Sequence, residues 1–251
     1  MMTETALRRA LGADYPLIFL PETVSTNDLA KKLAREGAPH GTAVLAAAQT
    51  GGRGRLGRSF LSPAGGIYLS VILRPVGFAS ELRHLTLLFA EAALRAVSLC
   101  AGVTPQIKWP NDLLLNGKKL AGILTEGALA QNGTYAWLVC GIGLNLNTVP
   151  PQVADIAAAL SLADGAPLAA ELIRRITDAC DNALSQRDAR LRAVRESCIS
   201  LGKTVEIHDG GTPYRAFARE LLSDGSLLVT AEDGTERTVF SGELLPPRER
   251  S

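Results

Sequence analysis

Histidine, cysteine and aromatic residues are scarce in this 251-residue chain, which has three histidines, four cysteines, two tryptophans, four tyrosines and six phenylalanines. His40, His84 and His208 stand apart from one another and from the densest motifs, and nothing resembling a Ser/His/Asp or Cys/His set appears around them. Cys100, Cys140, Cys180 and Cys198 are widely spaced with no C-x-x-C pair. They read as buried apolar residues or free thiols, which excludes a zinc ribbon or a disulfide framework. No apolar run reaches the ~20 residues of a membrane span, and no long apolar segment follows the N-terminal arginines as a secretory signal requires. The expectation is a cytoplasmic protein without a membrane partner. A net charge of +1 gives no global field toward nucleic acid, and 47% hydrophobic with 20% charged residues excludes a disordered chain.

What is present is clearly punctuated. STNDLAKKLAREG (25–37) predicts a helix: Ser25, Thr26 or Asn27 can cap it, Leu29 and Leu33 pair at i,i+4, and Gly37 stops it. TAVLAAAQ (42–49) and GIYLSVILRP (66–75) read as strands, and SELRHLTLLFAEAALRAVSLCAG (80–102) as a long buried helix capped by Ser80 and stopped at Gly102. Asn116-Gly117 and Asn132-Gly133 mark hairpin turns in a meander of short strands. From about Leu168 to Ser197 the pattern is helical, with Leu172, Ile176 and Leu184 inward. After Gly202 come KTVEIH, YRAFARELL, SLLVTAE and ERTVFSGEL, alternating strands that indicate a small β-barrel. The expected architecture is α+β: a mainly antiparallel mixed sheet with helices on one face over residues 1–199, then the barrel over 200–251.

AQTGGRGRLGRSFLSPAGG (48–66) matches two phosphate-binding patterns at once. Gly52, Gly54 and Gly57 fit G-x-G-x-x-G, and Gly52 to Ser59 is one residue short of a P-loop. Both patterns need a helix after the loop to present its N-terminal amides, and here Pro63 and Gly65-Gly66 occupy that place. Both are rejected. Arg53, Arg55 and Arg58 have no acid nearby in the sequence, so guanidinium groups on a permissive backbone favour capture of phosphate or carboxylate over an idle surface loop. The run is too short and lacks the interleaved aromatics of an RNA-binding segment.

KWPNDLLLNGKKLAGILTE (108–126) is the second dense stretch. Asn111-Asp112 serves a turn or a ligand. Lys118 and Lys119 point to opposite faces of a strand, so one of them can face inward, and Gly122 permits close approach of a ligand to the backbone. In CGIGLNLN (140–147), Gly141 and Gly143 form either a bulge or a backbone wall for a flat ligand.

Taken in order, STN (25–27), AAAQTGGRGRLGRSF (46–60), KWPNDLLLNGKKLAGIL (108–124) and GIGLNLN (141–147), followed by a small barrel, resemble the biotin protein ligases over nearly the whole chain. The resemblance implies a catalytic domain joined to an SH3-like C-terminal domain. It also implies ATP-dependent activation of biotin as biotinyl-5′-AMP, with Mg²⁺, and transfer of biotin to a lysine of a biotin carboxyl carrier protein. Carried over to this numbering, Ser25, Thr26, Asn27 and Gln49 meet the ureido ring. Arg53, Gly54 and Arg55 form the loop that closes over biotin and adenylate, and Lys119 contacts the carboxylate and α-phosphate. Gly122, Gly141 and Gly143 line the biotin slot. Arg55, Arg58, Asn111, Asp112, Lys119 and Asn145 fall on the nucleotide side, Asp112 as the metal ligand. Phe60 stands where the family usually has tryptophan, and still offers a ring to stack on. Arg248, near the end of the barrel, is expected to reach the phosphates. Some twenty residues precede the Ser25 helix, too few for a DNA-binding domain of about three helices, so no nucleic-acid partner is expected. A homodimer through strand 67–73 is a further expectation. The rival readings are a lipoate or octanoate ligase of related architecture and an inactive binding module.

Overall fold

A computed structural model describes residues 2–245; Arg248 lies outside them. The first helix, α1 (Glu4–Leu11), is capped by the Thr3 side chain and followed by β1 (Leu17–Leu20). Helix α2 (Thr26–Arg35) takes Ser25 as its cap, with the side chain accepting from the Asp28 amide. Next come β2 (Ala43–Ala46), β3 (Ile67–Leu73) and α3 (Leu85–Ala101). Ser80 does not cap α3; turns occupy 80–84 and His84 holds the cap position, while Gly102 ends the helix in the left-handed conformation as expected. The meander is β4 (Gln106–Lys108), β5 (Asp112–Leu115), β6 (Lys118–Leu129) and β7 (Tyr135–Leu144). Asn116 and Gly117, with φ of 52° and 76°, form the tight turn between β5 and β6.

Two helices, α4 (Ala166–Asp181) and α5 (Arg187–Ser197), replace the single helical stretch expected over 168–197. Leu172 and Ile176 are buried as expected, whereas Leu184 falls in the break between the helices and is 42% exposed. The C-terminal region is a five-stranded antiparallel sheet: β8 (Thr204–His208), β9 (Tyr214–Leu221), β10 (Leu227–Ala231), β11 (Glu236–Val239) and β12 (Glu243–Leu245). ERTVFSGEL therefore divides into two strands, at Gly242 with φ of 143°.

The main sheet has the order β1-β2-β3-β7-β6-β5-β4 and is antiparallel except for the β1–β2 pair. Strand period decides its two faces. Leu69, Val71 and Leu73 of β3 and Leu138, Cys140 and Ile142 of β7 join the large core under α3 and α4. Ile72, Trp137 and Val139 face the other way and form a second cluster with Ala30 and Ala34 of α2. Helices thus lie on both faces, not one. Strand β3 is interior, bonded to β2 and β7 along its length, so residues 67–73 offer no free edge for dimerisation.

Candidate active site

Helix α2 covers only part of its face of the sheet, and the functional residues gather on the remainder. Ser25, Thr26 and Asn27, at the start of α2, are all buried. Ser70, the lone polar residue of the IYLSVIL strand, lies 2.8 Å from Thr26 Oγ1 and 2.6 Å from Asn27 Oδ1. Gln49 Oε1 accepts from Thr26 N at 2.8 Å and Thr26 Oγ1 at 3.1 Å, while its Nε2 donates to Ser62 Oγ at 3.0 Å. Asn27 rests on Gly141, where a Cβ would approach Asn27 Oδ1 to 2.0 Å. At Gly143 a Cβ would meet the Phe60 ring at 2.5 Å. These glycines are needed for what lies on them rather than for backbone freedom.

Lys119 and Gly122 are three residues apart, so a regular strand would put them on opposite faces. A bulge corrects this: Leu113 pairs with Ala121 and Leu114 with Lys119, leaving Leu120 as the extra residue. Lys119 then reaches over Gly122, its Cε 3.2 Å from where a Cβ would be. Its ammonium is 2.9 Å from Asp112 Oδ1 and 5.9 Å from the centre of the Phe60 ring. Asn111 joins this group to the loop: its Nδ2 donates to Asp112 Oδ1 at 3.1 Å and to Ile123 O at 3.0 Å, and its Oδ1 accepts from Arg55 Nη1 at 2.9 Å.

The three loop arginines do have acidic or carbonyl partners, contributed by distant parts of the chain. Arg53 Nη2 is 2.9 Å from Asp28 Oδ2, Arg55 Nη1 donates to Gly242 O at 3.2 Å, and Arg58 Nη1 lies 2.5 Å from Glu243 Oε1. Burial pulls the Arg55 guanidinium below its ordinary pKa, an effect that the fields of Asp112 and Glu243 oppose. Sequence reasoning missed Asp28, Ser70, Glu126 and Glu243. A polar residue inside the apolar β3 run was a legible signal for Ser70; the others become partners only through the fold.

The side chains enclose a slot of about 60 Å³ walled by Gly122, Gly141 and Gly143, with Ser25, Thr26, Asn27, Gln49 and Arg53 around it. A cavity of about 860 Å³ opens beside it, bounded across by Gly242 and Leu244 of the C-terminal sheet. Gly54, Arg55, Phe60, Asn111 and Lys119 line both spaces, and Arg58 and Asp112 line the larger. Asn145 lines neither; its amide donates to Lys119 O at 3.4 Å and supports the strand that carries Lys119.

Asp112 is the one carboxylate beside Lys119 in the described residues lining the larger cavity apart from Glu243. A magnesium ion commonly takes one or two carboxylates and completes its shell with phosphate and water, so Asp112 fits as a ligand of a phosphate-bound ion. His40, Cys180 and Asp181 also converge, with ligand atoms within 4.8 Å of one another. There His40 Nδ1 accepts from Arg74 N at 3.0 Å, which leaves the proton of the neutral ring on Nε2, the atom facing Asp181. That group does not suit a metal.

A sheet whose uncovered face holds a small closed slot opening into a cation-lined cavity defines a class, and comparison with known proteins agrees. The model of the Biotin/lipoate A/B protein ligase family matches residues 19–145, and the chain belongs to this family. The biotin--[acetyl-CoA-carboxylase] ligase of Mycobacterium tuberculosis is 34% identical over 239 residues, 89% of this chain and 86% of that protein. The Bifunctional ligase/repressor BirA of Bacillus spizizenii is 44% identical over 172 residues, 65% of this chain. The chain spans about half the length of the Bacillus relatives, 53% in each case. Among solved structures, the biotin protein ligase from Aquifex aeolicus in complex with biotin and ATP is similar with a TM-score of 0.76 and 29% identity, covering 91% of this chain and 97% of that one.

Proposed function

We propose that this chain joins biotin to ATP and passes the biotinyl group to a lysine of a biotin carboxyl carrier protein. The observation that carries this reading is the meeting of two unequal spaces at Lys119, Arg55 and Phe60: a small polar-ended slot suited to a flat ring, and a larger cavity suited to a nucleotide. A carboxylate oxygen of biotin attacks the α-phosphorus, and the bond to the leaving pyrophosphate breaks with its electron pair. No enzyme nucleophile is required. The chain supplies in-line placement and positive charge, with Lys119 exchanging Asp112 for the carboxylate and α-phosphate, and Arg53 and Arg55 retaining the adenylate. Mg²⁺, held by Asp112, would neutralise phosphate charge. The carrier's lysine amine then attacks the acyl carbon, and AMP leaves.

Residues 1–199 form the catalytic domain in this reading, and 200–251 an SH3-like domain that closes the nucleotide side through Gly242 and Glu243. Consumption of ATP supports a cytoplasmic location; among the described residues no helix is long and apolar enough to cross a membrane. The test is ATP–pyrophosphate isotope exchange with biotin, lipoate or no acid. Exchange that requires biotin supports the reading; exchange that requires lipoate replaces biotin as the substrate.

A further inference from the structure

Glu126 does not line the slot but bonds Asn27, which does, and bears on which end of the Asn27 amide faces a ligand. Glu126 Oε2 accepts from Asn27 Nδ2 at 2.9 Å, and Leu124 O accepts from the same nitrogen at 3.3 Å. Both Nδ2 protons are thereby committed. Asn27 Oδ1, on the opposite side, meets Ser70 Oγ at 2.6 Å and keeps one acceptor direction uncommitted. Ser70 alone does not fix the amide, because a hydroxyl both donates and accepts. An ionised carboxylate only accepts, as does the more distant Leu124 carbonyl, so together they fix the amide: turning Asn27 over would set its oxygen against both of theirs.

Glu126 is itself held. Its Oε1 is 2.7 Å from Lys31 Nζ, and Lys31 also reaches Asp28 Oδ1 at 3.0 Å, whose other oxygen holds Arg53 of the loop. Burial lowers the Lys31 pKa, but the hydrogen bonds that its ammonium donates to Glu126 and Asp28 outweigh it and raise the group above its ordinary value, so Lys31 stays charged.

We propose that Glu126 is a positioning residue that locks Asn27 as a hydrogen-bond acceptor toward the slot, so that the site selects a ring carrying an N–H donor. The proposal rests on the biotin reading, since a cyclic urea presents such donors. The lock also ties the ring anchor, through Lys31 and Asp28, to the loop arginine that closes over the ligand.

Glu126→Gln weakens the lock, because a carboxamide can donate to Asn27 Oδ1 as well as accept from Nδ2, which leaves only the 3.3 Å contact with Leu124 O to favour the original orientation. The experiment measures binding of biotin and of the two cyclic carbamate analogues in which one ureido N–H is replaced by oxygen. The wild-type chain is expected to prefer biotin over one analogue by about tenfold or more, as loss of one buried donor implies. In Glu126→Gln that ratio is expected to fall by about threefold or more, and in Ser70→Ala to persist. A folded Glu126→Gln chain that keeps the full ratio overturns the proposal. Failure of the wild-type chain to bind biotin at all overturns the substrate reading instead. A second measurement needs no variant: both Asn27 side-chain amide protons should exchange with D₂O more slowly than those of exposed Asn132. Equal exchange rates overturn the lock.

Discussion

Lys119 sits where the two cavities join and has Asp112 as its ionic partner. Its side chain is 38% exposed, so the pair contributes little to folding, of order 0–1 kcal/mol. In the proposed reaction Lys119 would stand opposite an attacking carboxylate, where a cation aimed at charge that grows in the transition state is worth far more. Lys119→Ala is therefore expected to lower adenylate formation by about 10²–10³-fold while shifting the melting temperature by only a few degrees. Stopped-flow kinetics and thermal melts on the same preparation check both parts; near-normal turnover would remove Lys119 from the chemistry. At this scale much was legible, since glycines, arginines and a lysine at fixed spacings point to anion capture. The partners of the arginines were not, because Asp28 and Glu243 reach them only across the folded molecule.

Strand β7 does two jobs with one alternation. Its Leu138, Cys140 and Ile142 fill the core under α3 and α4, while Gly141 and Gly143 leave room on the opposite face for Asn27 and Phe60. A methyl group at 141 would overlap Asn27 without straining the strand backbone. Gly141→Ala is expected to weaken biotin binding by about 5- to 150-fold, the equivalent of the 1–3 kcal/mol that overpacking costs, as titration calorimetry would read. Unchanged affinity would mean that Asn27 does not contact the ligand. The hairpin at Asn116-Gly117 could be read directly, because its two positive φ values demand those residues. The bulge at Leu120 could not: it arises from pairing with β5, and it alone brings Lys119 and Gly122 to one face. Placing α2 on the site's side of the sheet was likewise hidden, since its amphipathic pattern states that one face is buried but not against what.

The two sheets of the molecule are joined at a buried seam. Trp109 Nε1 donates to Gly225 O at 3.0 Å, Arg195 Nε donates to Leu221 O at 2.9 Å, and Gly225 packs so closely on His84 that a Cβ there would come within 3.0 Å. His84 is 1% exposed, and its Nε2 lies 3.1 Å from Ala183 O. Burial holds its pKa below the ordinary histidine value; Arg187 lowers it further, while the Ala183 carbonyl, Asp224 and Asp188 raise it. The unfolded chain thus takes up a proton near pH 6.5 that the folded chain resists. The stabilisation is full above about pH 6.5 and is lost as pH falls below it toward the folded-state pKa, with a slope of at most about 1.4 kcal/mol per pH unit from this group. Denaturant melts of the wild-type chain and of His84→Gln from pH 5 to 8 should differ in slope only in the acid range, and parallel curves would exclude His84. No sequence pattern announced this seam, because Trp109 and Gly225 are separated by most of the C-terminal half of the chain.

Activation of biotin at the junction of the two cavities is tested most directly by isotope exchange between pyrophosphate and ATP, with no carrier protein present. The account predicts exchange that saturates with biotin, requires Mg²⁺ and falls by about 10²–10³-fold in Lys119→Ala. A folded wild-type chain that binds both biotin and ATP yet exchanges no label would contradict it.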